Sequence, residues 1–113
     1  MKSKSIIGSF VFRDEGDGCL TSKYMSDGPE SPFTEGCKLI AGTGTPDKFC
    51  GRYQTAWLEE KDRHVKAELL IEKNTSNGNI YKLYWYEPKN RSAGIFEGSA
   101  MLFENLLVGA YWD

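Results

Sequence analysis

The sequence predicts an all-β chain folded as an eight-stranded antiparallel up-and-down barrel, and three observations predict it. From Phe49 to Asp113 the segments FCGRYQTAWLEE, HVKAELLIEK, NIYKLYWYEP, AGIFEGSAMLF and LLVGAYWD alternate large apolar with polar side chains, the period of a half-buried strand. Short runs of charged residues, Asn, Gly or Pro separate them, so each strand returns on its neighbour through a hairpin. No segment sustains a helical period, which leaves a sandwich or a barrel. The hairpins select the barrel, because a sandwich needs longer Greek-key crossings and closure removes the edges that the first and last strands would expose.

The 113 residues make a single domain, 1–113, since chains of ~100–150 residues bury one core. Charge is nearly balanced, 14 Lys and Arg against 16 Asp and Glu, without the basic stripe that neutralises phosphates; nucleic acid is not an expected partner. MKSKSIIGSFVFRDE has a basic head, but Gly8 and Ser9 and then Arg13, Asp14 and Glu15 break its apolar run, so no signal peptide is expected. The longest apolar run, Ser99 to Trp112, carries Glu104 and Asn105 and is too short to span a bilayer, so no membrane partner is expected. Cys19, Cys37 and Cys50 are odd in number and fit no C-x-x-C spacing; they read as free thiols in a reducing cytoplasm. With His64 the single histidine, neither a metal site nor a cofactor is expected.

Taken in order, Ser5 to Arg13 sets Gly8, Phe10 and Phe12 on one face and Ile7, Ser9 and Val11 on the other, a strand with its aromatic face inward. DEGDG follows, where Gly16 and Gly18 can supply the positive φ of a tight turn. A calcium loop is the other reading of that acidic run, but the further ligand positions and closing Glu are missing. Cys19 to Met25 returns with Leu20, Ser22 and Tyr24 on one face. Ser26 to Lys48 reads as an irregular connection containing Pro29, Pro32 and Pro46, and its one strand-like piece is Gly36 to Ala41. At a barrel mouth a connection of that length would be a lid, the alternative being a solvated loop. Gly42 to Thr45 lacks the Gly-Lys-Ser/Thr of a phosphate loop.

Phe49, Gly51, Tyr53, Thr55 and Trp57 then face in, with Arg52 and Gln54 out, and EEKDR turns the chain. Val65, Ala67, Leu69 and Ile71 face in against Lys66, Glu68, Leu70 and Glu72, the alternation of a half-solvated sheet. NTSNGN holds Asn-Gly, a strong hairpin signal. Tyr81, Leu83 and Trp85 face in, and Lys82, Tyr84 and Tyr86 out. After the turn at Pro88 to Arg91, Gly94, Phe96, Gly98, Ala100 and Leu102 face in, with Ile95, Glu97, Ser99, Met101 and Phe103 opposite. Gly98 and Ala100 leave room for large rings across the interior. Glu104 and Asn105 lead into the last strand, Leu106 to Trp112.

Gly8-x-Phe10 stands where the first strand of calycin barrels, the lipocalin, fatty-acid-binding and avidin-like proteins, often reads Gly-x-Trp, and GDGCLTSKY is similar to the second strand of the avidin type. The chain resembles that calycin group over these two hairpins. The resemblance implies an eight-stranded barrel with a ligand site at one open end. It does not imply biotin binding, because Ile6 and Ile7 occupy the stretch where the avidin family carries an Asn. Secreted lipocalins also bring disulfides and a terminal helix that this sequence does not show.

Phe10, Phe12, Tyr24, Tyr53, Trp57, Tyr81, Trp85 and Phe96 form the predicted lining, rings with hydroxyl and indole donors that can orient a planar or partly apolar ligand. Ordinary core packing is the plain alternative for each. The expected function is small-molecule binding at the barrel mouth. The alternative is a protein interaction module on a packed barrel, because Leu70, Tyr84 and Tyr86 form an outward apolar strip that predicts a two-fold homodimer. An enzyme would need an acid and a base in one pocket. Glu35, Glu59 and Glu97 supply carboxylates, but Glu59 falls in a turn, Glu97 on the outer face and His64 beside a charged turn, and no catalytic residue is assigned.

Overall fold

Strands with one apolar face need a second layer or closure, and this chain closes. The structure, a computed structural model, describes residues 6–26, 33–42, 47–59, 63–74 and 79–113. Its strands are β1 (Ile7–Gly16), β2 (Cys19–Ser26), β3 (Phe33–Ala41), β4 (Gly51–Glu59), β5 (Arg63–Lys73), β6 (Tyr81–Glu87), β7 (Asn90–Phe103) and β8 (Leu106–Trp112). Each pairs antiparallel with the next, and β8 pairs with β1 from Ile7↔Trp112 to Arg13↔Leu106. The predicted up-and-down barrel is therefore the fold. No helix long and apolar enough to cross a membrane occurs among the described residues.

Local chemistry explains the turns. Gly16 pairs with Cys19 around Asp17 and Gly18, whose φ angles of 53° and 77° are the positive pair that a two-residue type I′ hairpin requires. Asp14 Oδ1 accepts the Gly16 N–H at 3.0 Å, steadying the bulge between Asp14 and Gly16. Inside the barrel, Phe12, Leu69, Ile71, Leu83 and Leu107 are fully buried and fill its middle. Each such side chain contributes about 1.5–3 kcal/mol of burial.

The structure corrects several expectations. The stretch from Ser26 to Lys48 is not irregular throughout: β3 begins at Phe33, ahead of the expected Gly36, because Phe33 packs on the Tyr24 ring at 5.7 Å and Thr34 accepts from Lys23 at 2.7 Å. Phe49 is buried as expected, but it precedes β4 instead of lying in it. Gly94 and Leu102, expected inside, are exposed, since β7 runs 14 residues against a seven-residue β6 and the ladder shifts register at Trp85 and Tyr86. The same shift covers Tyr86, which was expected on an exposed strip: it is only 3% exposed, with the Arg91 guanidinium 5.9 Å above its ring. The Asn77-Gly78 signal, most of the EEKDR turn and the parts of the long connection at 27–32 and 43–46 lie outside the described residues.

Candidate functional site

The two ends of the barrel differ. At the end holding the β3–β4 and β5–β6 connections, the segment Asp47 to Cys50 folds across the opening and buries Phe49 completely. Asp47 organises it: Oδ1 accepts the N–H groups of Phe49 at 2.9 Å and Cys50 at 3.3 Å, while Oδ2 accepts the Tyr81 hydroxyl at 2.6 Å and pairs with Lys73 at 3.1 Å. Burial works to raise the Asp47 carboxyl, but those donors outweigh it and hold it below the usual range. Tyr53 donates to the Phe49 carbonyl at 2.8 Å, and burial drives the Tyr53 and Tyr81 phenols far upward. This end is sealed by satisfied polar groups.

Among the described residues, the opposite end, where β2 finishes and β3 begins, keeps a cleft. Phe10, Tyr24, Trp57, Trp85, Phe96 and Tyr111 wall it, and Glu35 forms its floor. Two glycines make the walls possible. A Cβ on Gly8 would collide with the Met25 carbonyl and lie 2.5 Å from the Tyr111 ring, and one on Gly98 would lie 2.9 Å from the Ala110 carbonyl, 3.2 Å from Trp85 and 3.3 Å from Phe10, so side chains there would press on both the neighbouring strand and the rings. The rings meet mostly edge to face, with Phe96 at 83° to Tyr111 and 88° to Trp85, and Tyr24 at 80° to Tyr111. The cleft measures about 290 Å³ with the open solvent at its mouth, and about 30 Å³ of it takes the centres of water-sized atoms. That is space for one or two small groups in depth.

Glu35 is the unusual residue. It is 4% exposed on the inner face of β3, and its Oε2 accepts the Thr55 hydroxyl from the neighbouring β4 and, from across the barrel on β6, the Trp85 indole N–H at 2.9 Å; the Cys37 thiol is a third hydrogen-bonding neighbour. Cys37 Sγ–H donates in turn to Thr55 Oγ1 at 3.3 Å. Burial raises the Glu35 carboxyl, the three polar neighbours oppose it, and the outcome is a group pushed up to about 7. The Cys37 thiol is pushed well up by burial and by the adjacent Glu35 charge. Tyr111 rises through burial and the same charge, against a hydrogen bond from Ser26. Directly opposite Glu35 on the β2–β3 ladder, Ser22 is fully buried and its hydroxyl has no partner.

Of the eight expected lining residues, Phe10, Tyr24, Trp57, Trp85 and Phe96 surround this cleft. Phe12 belongs to the core, and Tyr53 and Tyr81 to the sealed end. Tyr111 and Glu35 were missed as lining. Tyr111 was legible as an inward position of the last strand; Glu35 was hidden because an acid, a glycine and a cysteine interrupt the alternation of Phe33 to Ala41. Glu97 and His64 are exposed, and among the described residues no second carboxyl, imidazole or amine lines the cleft with Glu35. As a carboxylate, Glu35 accepts hydrogen bonds from a ligand; as an acid, it donates one. No group of three or more His, Cys, Asp or Glu residues suited to a metal occurs among the described residues. Comparison with family models, with curated proteins and with solved structures returned no match to this chain.

Proposed function

We propose that this chain is a small-molecule binding protein whose open end holds the polar terminus of a partly apolar or aromatic ligand. One observation carries the reading: a buried carboxyl, with the Thr55 and Trp85 donors on one oxygen, sits at the floor of a cleft walled by six rings. Burying such a group uncompensated is costly, and proteins keep it where it meets something. The calycin-like features of the first hairpins support a ligand site at one barrel end, and the three free cysteines, two of them buried, support a reducing cytoplasmic setting. A fragment screen by amide NMR tests it. Binders should perturb Trp57, Trp85 and Phe96 and leave Tyr53 and Tyr81 unmoved; a screen without binders at millimolar concentration, or one centred on the sealed end, overturns it.

A second reading concerns association. Leu70, Tyr84 and Tyr86 border a groove of about 420 Å³ on the outer wall, and the Tyr86 hydroxyl is buried there with no hydrogen-bond partner. We propose this face for a two-fold homodimer, which would need at least ~1,000 Å² of contact. Sedimentation of the wild type against Tyr84→Glu tests it, and a monomeric wild type at micromolar concentration ends it.

A further inference from the structure

We propose that the ligand terminus held in the cleft is a protonated amine, its ammonium donating to Glu35 and its carbon skeleton lying against the surrounding rings. This rests on the binding reading above and adds the ligand's charge and hydrogen-bonding class.

The floor presents acceptors. Thr55 and Trp85 both point their hydrogens at Oε2, so neither of them engages Oε1. With Glu35 as a carboxylate, a ligand meets this floor with N–H or O–H groups, and an ammonium brings three.

Among the described residues the floor also lacks a countercharge. The ion pairs among the described residues are Arg13 with Glu15, Arg52 with Glu68 and Lys73 with Asp47, all away from Glu35. A carboxylate in apolar surroundings is stabilised most by a cation at hydrogen-bond distance. The groups facing it cannot supply one: Cys37 from β3, Tyr24 from β2 and Tyr111 from β8 never carry positive charge. Phe10, Trp57, Trp85 and Phe96, from β1, β4, β6 and β7, do not titrate.

The walls favour the same charge. Ring faces are negative, and rings standing at 80–88° to one another enclose a compact group with faces as well as edges. An anion would meet both the carboxylate and the ring faces unfavourably. The free depth of the cleft, about 30 Å³ for water-sized centres, suits a headgroup the size of an ammonium, with the rest of the molecule toward the mouth.

The experiment compares n-butylamine with 1-butanol, which share a chain and differ in charge, by calorimetry and tryptophan fluorescence on the full chain. At pH 8 the amine should bind about tenfold or more tightly than the alcohol. Its affinity should fall by up to about tenfold per pH unit once Glu35 protonates, while the alcohol's stays flat. Glu35→Gln, checked for folding by near-ultraviolet circular dichroism, should erase the preference. Equal or weaker binding of the amine, with the alcohol still bound, overturns the amine inference and leaves the binding reading standing. Binding of neither at millimolar concentration overturns both, and the wild-type comparison decides this even should the variant not fold.

Discussion

The barrel's ends bury an acid each and treat it in opposite ways. Asp47 is surrounded by donors on both oxygens, among them a lysine, and its proton is held less tightly than in the unfolded chain. Glu35 has only neutral donors, deeper burial, and a proton held more tightly. The first arrangement locks a segment over the opening. The second leaves an unmet group at the floor of a cleft. Residue type does not separate these roles, since both are carboxyls on a barrel rim; the number of donors and the presence of a cation do.

The largest test of this contrast uses pH. Between 4.5 and about 7 the folded state binds the Glu35 proton that the unfolded chain has released, so this group's contribution to stability falls as pH rises and is flat above that window. The fall amounts to about 3 kcal/mol. Urea melts from pH 4.5 to 8 should show the difference between wild type and Glu35→Gln changing by that amount; parallel curves would break the contrast.

Next in size is Asp47→Ala. It removes the acceptor of two backbone N–H groups and the Tyr81 hydroxyl, and it should lower stability by about 2.5 kcal/mol at pH 7. Amide hydrogen exchange should speed up around Phe49 and Cys50 and leave the cleft strands unchanged. A loss no larger than that of a surface substitution would show that the seal does not depend on Asp47.

Tyr81→Phe should cost about 1.5 kcal/mol at neutral pH, the value of a hydrogen bond to a charged acceptor. Because the Asp47 carboxyl is depressed in the folded state, its contribution is present above the unfolded value of 3.8 and is lost as pH falls through the folded one. The penalty should therefore shrink in acid, the opposite trend to Glu35. The smallest effect belongs to Tyr53→Phe, about 1 kcal/mol for a neutral bond to the Phe49 carbonyl, with no dependence on pH between 4 and 8.

Alternation and turn chemistry made the strands and the closure legible in the chain itself. Phe10 and Phe12, Tyr53 and Thr55, and Leu69 and Ile71 sit two residues apart, and a two-residue spacing on a strand means a shared face wherever the strand lies. Gly16 and Gly18 announced the hairpin, and both take the positive φ expected of them, with Asp17 between them at positive φ as well. Gly98, expected to make space for rings, does so for Trp85 and Phe10.

What tertiary structure alone decided is which inward residues meet, and at which end. Glu35, Thr55 and Trp85 lie on β3, β4 and β6, so their convergence depends on how the strands are staggered around the barrel. The seal at one end and the cleft at the other likewise follow from where Asp47 lands, across the barrel end from Tyr81 and Lys73, 34 and 26 positions along the chain. Local periodicity shows a side chain pointing inward; only closure brings it a partner, and the partner determines whether a buried acid is a lock or a site.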